Sequence, residues 1–156
     1  MTAFEDVKNA FYNYIENDVD FFSYFELDED ECMEVAGQRA GVLLSEATSY
    51  LSRKLIVENV FSAANSSKER FTETLTDAEV NLLVKTMFLM YLQRDLTKLR
   101  TFHGVMTSSD LNMYSPANER KTFVDMVQKY EEDLKIEISE YQMRDRKTGA
   151  FVQICE

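Results

Sequence analysis

Residues Leu75 to Leu96, LTDAEVNLLVKTMFLMYLQRDL, form the most apolar stretch in a chain of net charge -11. What this stretch packs against decides the fold. Its start is well marked. Thr76 and Glu79 make an S/T-x-x-E capping box, and Leu75 with Val80 supplies the matching hydrophobic staple. From Val80 to Leu92 apolar residues occupy every face, broken only by Asn81, Lys85 and Thr86. A membrane-spanning helix needs about 20 predominantly apolar residues, and this run is shorter and carries a lysine. A helix apolar on all sides is otherwise a buried one. The spacing therefore predicts a central helix over about 77–100, wrapped by others in an all-α helical bundle.

The wrapping helices are visible on either side. Only four Gly and one Pro are present, which favours a few long helices over many short strands. In AFEDVKNAFYNYIENDVDFFSYF, residues Phe4, Val7, Phe11, Tyr14, Ile15, Val19 and Phe22 recur at steps of three and four, the stripe of one helix. Glu5 and Asp6 sit in its first turn, where the helix dipole favours them. A second helix starts at Asp28, with Glu31 completing a capping box. Its face runs through Val35, Ala36, Arg39, Val42, Leu43, Ala47, Tyr50 and Leu51, and Arg53 and Lys54 suit its C-terminal end. Gly37 and Gly41 are small enough for a close helix crossing.

Residues 56–74 read as a connector pinned by Val57, Val60 and Phe61, with Phe71 leading into the central helix. After Arg100, TFHGVMTSSDLNMY reads as a loop ending at a new start signal: Ser115 as N-cap, Pro116 at the first helical position and Glu119 in the first turn. The last helix, 116–142, carries the stripe Phe123, Val127, Tyr130, Leu134, Ile138 and Tyr141. At 1.5 Å per residue it is about 40 Å long, so part of it is expected to project. The chain then divides into a helical domain, 1–142, and a short C-terminal arm or hairpin, 143–156. The arm holds the one basic cluster (Arg144, Arg146 and Lys147), a turn residue at Gly149 and the β-prone AFVQIC. A lone strand has no ladder partner. It must turn back as a hairpin, fray, or add to a sheet in another molecule.

The charge balance, 28 Asp and Glu against 17 Lys and Arg, argues against tight binding to DNA or an anionic membrane. Cys32 and Cys155 belong to no CxxC or Cys/His cluster. With no signal-peptide pattern at the N-terminus, they are expected to be free thiols in a reducing compartment. The acidic run Asp28 to Glu31 lacks the glycine and spacing of a calcium loop. His103, the one histidine, has no carboxylate or thiolate among its sequence neighbours Thr101, Phe102, Gly104 and Val105. No GxSxG, Walker A, GxGxxG or HExxH motif occurs. Glu131 and Glu132 are adjacent on a helix and point to different sides, a solvated face. Met87 and Met90 read as core filling, within a larger methionine set suited to adaptable contacts. The expectation is a protein that is not an enzyme and uses no cofactor and no metal.

One pattern goes further. The capped, all-round apolar helix at Leu75–Leu96 is followed by a box from Asp110 to Asn118, in which Tyr114, Ser115, Ala117 and Asn118 carry the signal. A long helix and a Tyr-x-x-Arg ending at Tyr141–Arg144 complete it. This arrangement, about half of the chain, resembles small structural proteins of tailed bacteriophages at the head–tail junction. It departs at Leu92 and Gln93, where a Trp-Leu pair is expected. The resemblance implies a connector or neck adaptor. Such a virion protein forms a homo-oligomeric ring, dodecameric by portal symmetry, that docks on the portal and links capsid to tail. It would be made in the host cytoplasm, contact the portal protein and other neck or tail proteins, and touch DNA only as it passes through an acidic lumen. No membrane is involved. Candidate interface residues are Tyr114, Asn118, Arg144, Arg146, Lys147, Phe151, Val152 and Ile154. The other reading of the same residues is a small acidic helical protein that binds a host or phage protein.

Overall fold

The structure, a computed structural model, describes residues 1–24, 26–55, 60–61, 69–105 and 117–152; the side chains of 98–105 and 117–120 fall outside the description. It is mostly helical, with no strand among the described residues. In chain order the helices are α1 (Phe4–Tyr14), α2 (Val19–Phe22), α3 (Glu29–Lys54), α4 (Asp77–Val105) and α5 (Ala117–Gln142).

Helix α4 is the centre, packed against α1, α3 and α5. Leu82, Leu83, Val84, Met87, Leu89, Tyr91 and Leu92 are all buried on it. Burying each such side chain is worth about 1.5–3 kcal/mol, which is why a helix this apolar sits inside. Thr86 is buried too, and its hydroxyl donates to the Leu82 carbonyl at 2.7 Å, so that hydroxyl is not stranded. Lys85 reaches out to Glu137 Oε1 at 2.6 Å. Among the described residues no helix is long and apolar enough to cross a membrane. The helix runs on to Val105 rather than ending near Arg100. An established helix adds residues easily once nucleated, and Gly104 is a mild breaker at about 1 kcal/mol.

The N-terminal stripe is interrupted. Helix α1 stops at Tyr14, a turn follows, and Asp18 caps α2 by accepting from the Phe21 N–H at 3.2 Å. The change of direction carries Phe21 into the core and leaves Val19 70% exposed. Phe11 and Tyr91 meet Phe21 edge-on, at 5.5 Å between centroids in each case. Arg39 from α3 lies 4.5 Å over the same ring, which accounts for an arginine within an apolar face.

Helix α3 begins with the Asp28 capping box: the Glu31 N–H donates to Asp28 at 2.8 Å and the Asp28 N–H donates to Glu31 at 3.2 Å. Its buried face is Cys32, Ala36, Ala40, Leu43, Leu44, Ala47 and Leu51, rotated from the expected stripe, so that Val42 is 48% exposed. The small residues on that face are alanines. A Cβ on Gly37 would find only the Tyr12 hydroxyl at 3.8 Å, and one on Gly41 would meet nothing within 4 Å, so neither glycine makes a close crossing. Val60, Phe61 and Phe71 of the connector are buried as expected, while Val57 lies outside the described residues. Helix α5 buries Val127, Leu134 and Ile138 and rests Phe123, Tyr130 and Tyr141 on the core. From Phe123 to Tyr141 it is docked rather than projecting.

Candidate functional site

Three distant pieces of chain converge at the start of α4. Residues 1–4 run antiparallel to 69–75: the Phe4 N–H donates to Glu69 O at 2.9 Å, the Phe71 N–H to Thr2 O at 3.0 Å, and the Leu75 N–H to Thr2 Oγ1 at 2.8 Å. The terminal ammonium of Met1 donates to Thr74 Oγ1 at 2.5 Å. Next, the capping box closes, with the Thr76 N–H donating to Glu79 Oε2 at 2.7 Å and the Glu79 N–H to Thr76 Oγ1 at 3.3 Å. The third piece comes from beyond α5. Arg146 donates from Nε to Glu79 Oε1 at 2.5 Å and from Nη2 to Glu79 Oε2 at 3.2 Å. It also holds Glu73 and donates to the Thr74 carbonyl at 2.9 Å. The Tyr141 hydroxyl adds a donor to Glu79 Oε1 at 2.7 Å.

Glu79 is 0% exposed. Burial alone pushes its carboxyl up, but the donors from Arg146, Tyr141 and Thr76 outweigh burial and hold it below the usual carboxylate range. The Glu79 hydrogen bond in turn raises Arg146 above its already high value. The carboxylate is thus charged, fully hydrogen-bonded and out of water. Its chemical role is to tie segments together: it clasps the arm to the central helix.

From this anchor the arm turns outward. Asp145 Oδ1 accepts from the Lys147 N–H at 3.1 Å, the Thr148 N–H at 2.7 Å and the Thr148 hydroxyl at 2.8 Å. These bonds, the Thr148 hydroxyl first, lower the Asp145 carboxyl. Gly149, with φ of 68°, supplies the left-handed residue that the turn needs. The chain then returns through the Asp145 N–H to Ala150 O and the Val152 N–H to Met143 O, both 2.8 Å, around a single bridge between Arg144 and Phe151. Arg144 stacks 4.3 Å from the Phe151 ring centroid. Beneath the arm lies a groove of about 370 Å³, lined by Leu55, Tyr141, Gln142, Arg144, Asp145, Arg146, Lys147 and Val152. Gln142 Nε2 donates to the Lys54 carbonyl at 3.1 Å, fixing this end of α5 to the end of α3.

The candidate residues fall into three groups. Arg146 is committed inside the chain. Arg144, Lys147, Phe151 and Val152 are exposed on the arm, the last two by 60% and 58%. Tyr114 and Ile154 lie outside the described residues, as does the side chain of Asn118. Glu79, Glu73 and Tyr141 were not among the candidates. Glu79 reads locally as a cap and Tyr141 as part of a stripe, and nothing local ties either to a residue on the arm.

Among the described residues, no group of three or more His, Cys, Asp or Glu is placed to share a metal ion. Cys32 is a buried free thiol, and Cys155 lies outside the description. No family model matches the chain, and no curated protein or solved structure matches it either.

Proposed function

We propose that the chain is a structural subunit of the head–tail junction of a tailed phage, a connector or neck adaptor that forms a ring on the portal and links capsid to tail. The observation that carries this reading is the arm. Its root is anchored by Arg146 on a buried carboxylate, and its tip presents exposed Arg144, Lys147, Phe151 and Val152. An arm with a rigid root and an open basic-apolar tip suits gripping a neighbouring subunit, because little ordering entropy remains to be lost on contact. Further support comes from the resemblance at Leu75–Leu96 and Asp110–Asn118, from the helical bundle itself, and from the acidic balance, which suits a lumen that DNA passes without sticking.

Mass spectrometry of intact virions tests the reading. The chain is expected in the purified particle at a copy number set by the ring, and electron microscopy of the protein with portal is expected to show closed rings. Absence from virions, with a monomer that ignores the portal, would overturn it. The excess of 28 acidic over 17 basic residues favours a second reading. In that reading the chain is an acidic helical module that occupies a partner protein's basic surface, and it would be recovered bound to a host protein and missing from particles.

A further inference from the structure

We infer that the chain associates head to tail with copies of itself, the basic-apolar arm of one protomer seating on the acidic start of α3 in the next. This rests on the ring-subunit reading above and names the contact that would build the ring.

The two surfaces are complementary in charge and alike in apolar content. Glu26, Asp28, Glu29, Asp30, Glu31 and Glu34 are all exposed within one short span, and none is paired with a cation among the described residues. Leu27 and Met33 are exposed among them. On the arm, Arg144 and Lys147 make no salt bridge among the described residues, Lys147 only lying near the Asp145 carboxylate, and Phe151 and Val152 stand exposed beside them. The other acidic faces are partly neutralised within the chain: Glu137 by Lys85, Glu46 by Arg94 and Glu131 by Lys135.

The surfaces cannot satisfy each other within one molecule. Helix α3 has 26 residues, so its ends lie roughly 39 Å apart at 1.5 Å per residue. The acidic surface is at its first turn, whereas the arm is fixed near its last through Gln142 and Lys54. Opposite charges held at opposite ends of a rigid rod pair between molecules. A contact that joins two different surfaces is heterologous, and it closes into a ring when the rotation per subunit allows. The charge component also makes the association weaken with salt.

Charge reversal tests the inference in the full chain. One variant carries Arg144→Glu with Lys147→Glu; the other carries Asp30→Lys with Glu34→Lys. None of these four side chains belongs to the Glu79 clasp or makes the Asp28 capping box, and unchanged far-UV circular dichroism checks the fold. A milder variant, Arg144→Gln with Lys147→Gln, serves as a second measure. Analytical ultracentrifugation of the wild type is expected to show a closed oligomer that weakens as salt rises. Each reversal alone should weaken association at least tenfold, with the Gln variant intermediate, and an equimolar mixture of the two reversals should assemble again.

A wild type that stays monomeric overturns the inference. So does a reversal that assembles like wild type, or a mixture that fails to recover. Those results leave the virion reading to its own mass-spectrometric test, and a chain that recovers by charge swap yet is absent from virions overturns that reading alone.

Discussion

Helix α4 is held in two different ways along its length. At its middle, Met87, Leu89 and Tyr91 are buried by apolar and aromatic packing from α1, α3 and α5, with Tyr14 of α1 and Tyr130 of α5 meeting Phe88 at 5.3 and 5.4 Å. At its start, a single buried carboxylate is gripped by donors from its own cap and from the far end of the chain. Packing is non-directional and tolerates repacking. A buried charge has no such tolerance, because its desolvation is offset only while its partners stay in place. The middle is therefore held by packing, and the start by directional bonds that fix Met1, Thr2 and Arg146. Met1, Thr2 and Arg146 all bond to the segment 73–75 there.

Breaking the polar end is expected to have the largest effect. Arg146→Met leaves Glu79 charged and buried without its cation, at a cost of about 3–5 kcal/mol, read as a drop in the denaturant midpoint with unchanged slope. A loss below about 1 kcal/mol would mean that the carboxylate reaches water. Met87→Ala at the apolar end is expected to cost about 2–5 kcal/mol. Its cost should not change with salt or pH, and a marked dependence on either would blur the contrast between the two ends.

The pH dependence sharpens that contrast. Because Glu79 is held below the ordinary carboxylate value of 4.5, its contribution is fully present above that value and is lost as pH falls through the lower folded one. Wild type is expected to lose stability relative to Glu79→Gln as pH falls below the ordinary carboxylate value towards the lower folded one, and the two should run parallel above it. Parallel curves throughout would show that Glu79 does not titrate with folding. The smallest expected effect is Thr76→Ala, about 1 kcal/mol from the lost cap, measured by thermal or denaturant unfolding. A neutral result would take the first turn of α4 away from Thr76.

The central helix was legible because two local signals agreed, a capping box at Thr76 and Glu79 and an apolar run with no polar face. The Asp28 start is legible from its capping box with Glu31 alone. The break after Tyr14 is hidden in the sequence because Val19 and Phe22 continue the stripe past it, and the one local sign of it is Asp18, which caps α2. The expected face of α3 includes Ala36, Leu43, Ala47 and Leu51 correctly but takes Val42 for buried and leaves out Ala40, because an apolar count favours valine although small residues are the ones a close helix contact buries. The clasp was illegible in principle from local pattern. Arg146 and Glu79 lie 67 positions apart, and an arginine in a basic cluster looks like a surface residue until its partner is known.

The most direct test of the clasp is a double-mutant cycle on Glu79→Gln and Arg146→Met, followed by denaturant unfolding at neutral pH. A tie between a buried carboxylate and its cation is expected to show a coupling of about 2–3 kcal/mol, toward the top of the range for contacting pairs, because the neutral Gln no longer needs the guanidinium. Strictly additive losses would contradict it and leave the arm unattached to the central helix.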